Sequence, residues 1–165
     1  MILSRWLSPR PNDVATLYGE IVAAARQPQF YRDWAIPDTI DGRFDMLVLH
    51  LAMVIARLKD VDQETRQKLI DQFCVDMDDN LREQGASDVS VGKKVRHMAE
   101  AFQGRYVAYE SAIDKTQLAE AINRNTYAGK PSPHAVNIAN YVEKARLSLA
   151  AQSHSDIAAG KVRFV

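Results

Sequence analysis

The sequence predicts a single all-α domain of about six or seven helices. Apolar residues recur at helical spacing along nearly the whole chain, and no segment alternates with period two for long enough to make a strand. Pro, Gly, Asp and Ser punctuate the periodic stretches where helices would start and stop. At 165 residues the chain is of ordinary single-domain length and can bury a core without disulfide or metal staples.

The first helix is expected from Asn12 or Asp13 to about Gln27. Val14, Leu17, Tyr18, Ile21, Val22 and Ala25 form its apolar stripe, and Pro28 stops it. Phe30 to Trp34 makes a short aromatic turn or helix, and Ile36 to Gly42, with Pro37, Asp38 and Asp41, has the residues of a shaped loop. Asp41 is the expected N-cap of a second long helix reaching about Lys59. Phe44, Leu47, Val48, Leu51, Ile55 and Leu58 line one of its faces, while Met46, Leu49, Met53 and Val54 fill the others. A helix apolar on most faces is surrounded by other helices, so this one is placed at the centre.

Asp62 caps a third helix with Leu69, Ile70, Phe73, Met77 and Leu81 inward and Gly85 as its C′ residue. Ser87 or Ser90 begins a fourth, with Val91, Val95, Met98, Phe102 and Tyr106 on one side. Asp114-Lys115-Thr116-Gln117 resembles a capping box ahead of Leu118 and Ile122. After the loop Gly129 to Pro133, Ser132 as N-cap and Pro133 at N1 open a last helix carrying Ile138, Val142, Ala145 and Leu149 inward. The expected division is an N-terminal segment over 1–11, a helical domain over 12–152 and a loosely held C-terminal tail over 153–165.

Charge and cysteine usage narrow the function classes. Twenty-one basic residues balance twenty-one acidic ones, which argues against a specific nucleic-acid binder, since such proteins rely on a basic excess. The single Cys74 excludes an intramolecular disulfide and any multi-cysteine metal site. Asp76, Asp78 and Asn80 match the first ligand positions of a calcium loop, but Leu81 and Ser87 stand where its Gly and Glu belong. Val91-Gly92-Lys93-Lys94 lacks the hydroxyl residue that a phosphate loop needs after its lysine. No catalytic residue, metal site or cofactor is assigned. His50, inside the apolar central helix, reads as a hydrogen-bonded core histidine. The competing reading is a helical enzyme or cofactor carrier that pairs His50 with carboxylates of Asp45 and Asp76–Asp79. Charge is unevenly spread: residues 60–88 carry nine acidic and three basic side chains, and residues 91–110 carry four basic and two acidic ones. Adjacent opposite patches suit either docking of two helices or a polar partner surface.

Several spaced motifs together resemble the ubiquinol–cytochrome c chaperone family. They are Phe30-Tyr31, Pro37-Asp38-Thr39, Asp41-Gly42-Arg43-Phe44-Asp45-Met46 with Leu49-His50, Asp76-Met77-Asp78, and Asn80-Leu81-Arg82-Glu83 with Gly85. Val91-Gly92-Lys93-Lys94, Met98, Ala101-Phe102, Gly104-Arg105, Ala108-Tyr109 and Arg124-Asn125 with Tyr127 continue the series. The resemblance spans about residues 14–145. It departs at Ala35, Ala86 and Gln103, where Gly, Val and an aromatic residue are commoner in the family.

The resemblance implies a non-enzymatic assembly chaperone that binds newly made cytochrome b and helps it mature into the ubiquinol–cytochrome c reductase complex. It further implies work near the ribosome or with a small partner protein. The compact bacterial form, acting at the cytoplasmic face of the inner membrane, is the expected type. A generic helical adaptor with another client is the remaining alternative. The motif surface comprises Phe30, Tyr31, Trp34, Pro37, Asp38, Asp41, Arg43, Asp45, Asp78, Arg82, Lys93, Lys94, Arg105 and Tyr109. Phe30, Tyr31 and Trp34 either anchor a client or pack in the core, and the same choice holds for Met46, Met53, Met77 and Met98. Asp41, Arg43, Asp45, Asp78, Arg82 and Arg105 are expected to form a charge-assisted network clamping the Pro37–Phe44 loop to the third and fourth helices. Met1, Ile2, Leu3, Trp6 and Leu7 with Arg5 and Arg10 either touch a membrane surface weakly and peripherally or cover a groove of the domain.

Overall fold

A computed structural model describes residues 11–165, which form eight α-helices and no strand among the described residues. In chain order these are α1 Pro11–Ala25, α2 Pro28–Arg32, α3 Ile40–Leu58, α4 Gln63–Glu83, α5 Asp88–Glu110, α6 Lys115–Thr126, α7 Ala135–Ala151 and α8 His154–Ala158. Two of them, α2 and α8, are five residues long. The expected N-terminal interfacial segment lies, apart from Pro11, outside the described residues.

The central helix is α3. It packs against α1, α4, α5, α6 and α7, and Met46 to Ile55 are buried without a break. A run of that kind leaves no face for water, as the all-round apolar sequence requires. Around it, Leu17 and Ile21 of α1, Leu69 and Phe73 of α4, Phe102 of α5, Ile122 of α6 and Ile138, Val142 and Leu149 of α7 close the core. Met46 and Met53 are core residues, whereas Met98 is half-buried.

Helix ends follow side-chain chemistry. Asp62 accepts a hydrogen bond from the Thr65 amide at 3.0 Å, Asp114 accepts one from the Gln117 amide at 2.8 Å, and Gly85 takes φ +91° just after α4. At α3 the cap is Thr39 rather than Asp41: the Thr39 hydroxyl accepts from the Gly42 amide at 3.1 Å. At α7 the expected start at Pro133 shifts, because Ser132 directs its hydroxyl to the His134 amide and the regular helix begins at Ala135.

The C-terminal segment differs from the loose tail expected. Ile157 and Phe164 are buried, and the Gln152 side chain both donates to the Arg163 carbonyl at 2.7 Å and accepts from the Arg163 amide at 2.9 Å. Gly160, at φ +85°, presses so close to Thr16 of α1 that a β-carbon would lie 2.6 Å from Thr16 Cγ2. Two sparse apolar anchors and one amide pair therefore hold a segment whose average composition is polar.

Candidate functional site

His50 resolves the first question about the site. It is completely buried in an aromatic box of Phe30, Tyr141 and Phe164, with ring centroids 5.0–5.5 Å from its own. Nδ1 lies 2.7 Å from the Met46 carbonyl, which can only accept, so Nδ1 carries the proton. Nε2 then accepts from the Tyr141 hydroxyl at 2.7 Å. Burial pushes its pKa down to about 4, and the ring is neutral at physiological pH. Of the carboxylates named in the enzyme reading, Asp45 is bonded to Arg105, Asp76 to the Tyr18 hydroxyl at 2.7 Å and Asp78 to Arg82. His50 is a structural core residue.

The aromatic candidates also resolve. Phe30 and Tyr109 are each 1% exposed and belong to the core, so neither can touch a partner from where it stands. Tyr31 and Trp34 are half-buried, and both are tied to the scaffold. The Tyr31 hydroxyl donates to the Ala25 carbonyl at 3.0 Å, and the Trp34 carbonyl accepts from the Tyr127 hydroxyl at 2.7 Å. The backbone beside them carries strain: Ala35, one of the positions that depart from the family pattern, sits at φ 53°.

The expected charge network separates into three pairs. Arg105 of α5 donates to Asp45 of α3 at 2.8 Å in a largely buried bridge. Arg43 reaches Asp38 at 2.8 Å on the surface. Arg82 bonds Asp78 one turn back on α4 at 2.6 Å and also Asp88 at the start of α5. Asp41 joins none of them. The pairs stay separate although α3, α4 and α5 pack on one another, because each guanidinium is taken up by its own carboxylate: Arg43 by Asp38, Arg105 by Asp45, and Arg82 by Asp78 and Asp88. Burial outweighs the Arg105 charge at Asp45 and lifts its pKa to about 6.

These residues frame two adjoining concavities on either side of the N-terminal turn of α3. The larger, about 900 Å³, lies between the Pro37–Gly42 loop, the middle of α5 and the α6–α7 connection, with Arg105, Arg124, Thr126, Tyr127 and Lys130 in its wall. The smaller, about 470 Å³, lies between α1, α4 and α5, lined by Met77, Leu81, Lys94 and Arg26 among others. Ile40, Asp41, Phe44, His97 and Met98 border both, so the two adjoin across the N-terminal turn of α3 as two halves of one groove region. Ile40 is 62% exposed at its crest. Arg105 also lies 5.4 Å from the Phe44 ring centroid, which fixes the aromatic floor. The Tyr109 and Thr126 hydroxyls are both buried without a hydrogen-bond partner among the described residues.

Of the sequence candidates, Pro37, Asp41, Arg43, Asp45, Lys94 and Arg105 line this groove. Asp38 stands beside it through Arg43, while Asp78, Arg82 and the exposed Lys93 lie off it. Thr126 and Lys130, absent from the candidate set and from the family motifs, come from the end of α6 and from the α6–α7 connection. Only their proximity to the Pro37 loop, a tertiary fact, could reveal them. No group of His, Cys, Asp and Glu among the described residues is arranged to hold a metal ion, and no described helix is long and apolar enough to cross a membrane.

Comparison with known proteins decides the family. The sequence profile described as ubiquinol–cytochrome c chaperone matches residues 32–164. The chain belongs to the ubiquinol–cytochrome c chaperone family. Similar to this family member is the crystal structure of the Cbp3 homolog from Brucella abortus, with a TM-score of 0.87 and 35% identity, over 100% of this chain and 97% of that one. The mitochondrial protein CBP3 of Saccharomyces cerevisiae is 27% identical over 149 residues, 82% of this chain. The chain spans 44% of the length of that yeast relative.

Proposed function

We propose that this protein binds newly made cytochrome b and assists its maturation into the ubiquinol–cytochrome c reductase complex, without catalysing a reaction. The observation that carries the reading is the groove at the start of α3. It offers an apolar floor of Phe44, Met77, Leu81 and Met98 with charged rims, built largely by residues of the family motifs. Such a surface suits transient capture of an apolar segment, and methionine at its edge lets one groove fit several sequences. Pro37, Asp41, Arg43, Lys94 and Arg105 are the proposed contacts or their immediate supports. The protein works at the cytoplasmic face of the bacterial inner membrane, where a membrane subunit emerges, near the ribosome or with a small partner protein and with weak peripheral membrane contact at most.

In-cell crosslinking from a photoreactive residue at Ile40 tests this directly. Cytochrome b should be captured, and capture should vanish when the residue is moved to exposed Leu147 on α7. Capture of unrelated proteins with no cytochrome b would favour a generic adaptor.

A further inference from the structure

The groove's charges are lopsided. Asp45 is engaged by Arg105, and Asp76 by Tyr18 and Asn80. Arg43 is neutralised by Asp38. Four further cations on the walls, Arg124 and Lys130 beside the larger concavity and Arg26 and Lys94 beside the smaller, have no ion-pair partner among the described residues. Asp41 is the sole carboxylate on these walls left without a hydrogen-bonded partner among the described residues. A chain with zero formal net charge thus places unneutralised positive charge on the walls of both adjoining concavities. The excess of acid lies elsewhere, mainly along α4, with Asp60, Glu64, Asp71, Asp79 and Glu83 exposed or at its margins.

We infer that the groove selects an apolar segment bearing acidic side chains at both ends, its carboxylates meeting Arg124 and Lys130 at one end and Arg26 and Lys94 at the other. The inference rests on the client-binding role proposed above and specifies the segment. Like charges facing one another across an interface are strongly disfavoured, so this polarity also rejects segments flanked by Lys and Arg. Cytoplasmic loops of membrane proteins are rich in those residues. The groove would therefore pass over the basic flanks of a membrane client and take its acidic ones.

The test uses the intact protein and three fluorescent synthetic peptides that share one apolar run of Leu, Ile and Phe and differ only in their ends: paired Glu, paired Gln or paired Lys. In anisotropy titrations at low salt the Glu peptide should bind about tenfold tighter than the Gln peptide, and the Lys peptide weaker still. Raising the salt should shrink the Glu preference, because these cations are solvent-accessible. The double variant Arg124→Glu, Lys130→Glu should weaken the Glu peptide and strengthen the Lys peptide. Should that variant misfold by circular dichroism, the peptide series and its salt dependence on the unmodified protein still decide. Equal affinity for all three peptides, or no binding by any, overturns the inference. Crosslinking to cytochrome b is read separately: its capture with no charge preference sinks only this inference, while its absence sinks the broader role.

Discussion

The Cα of Gly42 lies against the Pro37 carbonyl so closely that a β-carbon would stand 1.9 Å from that oxygen. The first turn of α3 and the loop before it are thereby pressed together, and the groove wall is fixed by contact between backbones. Gly42→Ala cannot be absorbed by a side-chain rotation, since the obstacle is main chain. It should destabilise by about 1–3 kcal/mol and reshape the groove. Gly104 offers the control, because nothing lies within 4 Å of a β-carbon there. Gly104→Ala, inside α5, should stabilise by about 0.5–1 kcal/mol through helix propensity. Urea denaturation of both variants checks the contrast, and similar behaviour of the two would contradict it.

Arg105 and Arg43 should separate scaffold from surface. Arg105→Ala leaves the largely buried Asp45 without its partner and should cost about 3–5 kcal/mol near pH 8, where that carboxylate is charged. Arg43→Ala breaks an exposed pair and should leave the thermal midpoint near that of the parent protein. A large loss from Arg43→Ala would mean that the loop depends on its surface bridge.

Two buried groups give opposing pH dependences. Asp45 has its pKa raised to about 6, so between about 4 and 6 the folded chain holds more protons there and stability falls as pH rises, by about 1–3 kcal/mol. His50 has its pKa lowered from 6.5 to about 4, so across that window the unfolded chain binds more protons and stability rises with pH, by about 3 kcal/mol. The two slopes cancel in large part from pH 4 to 6. Asp45→Asn should expose the His50 slope, seen as a urea midpoint that climbs steadily from pH 4 to 6.5. A flat profile in that variant would show that His50 does not titrate as its burial requires.

Ala35 offers a stabilising change. At φ 53° its β-carbon meets the strain that left-handed backbone imposes on L-residues. Ala35→Gly removes that strain and adds freedom to the unfolded chain, for a net gain of about 0.5–1 kcal/mol. A lower melting temperature would show that the Ala35 methyl contributes packing.

The central helix was legible because its apolar run is long and unbroken, and Asp62, Asp114 and Gly85 were legible because caps act within a few residues. The α3 cap was harder. Thr39 and Asp41 are both good N-cap residues, and the choice is made by the Gly42–Pro37 approach, which brings the Gly42 amide to the Thr39 hydroxyl. The charged motif residues were recognisable as a set but not in their pairing, which depends on how α3, α4 and α5 are turned against one another. Phe30 was open between anchor and core, and Tyr109 was assigned to the motif surface; both are buried, because an aromatic on a helix can face either way and only the packing of the neighbouring helices decides it. One wall of the larger concavity comes from the end of α6 and the α6–α7 connection, about ninety residues from the loop that it faces, and no local pattern announces such a meeting.

The C-terminal segment carries a consequence for how the chain is made. Phe164 stacks edge-on against His50, so the histidine box at the middle of the molecule is sealed by a residue more than a hundred positions further along the chain. Synthesis runs from the N-terminus and early segments can begin to fold as they emerge. Here the centre of α3 must wait with one side open to water until more than a hundred further residues have been added. Contacts of such sequence separation slow the final closure. During that interval, a member of a chaperone family has an exposed apolar segment of its own.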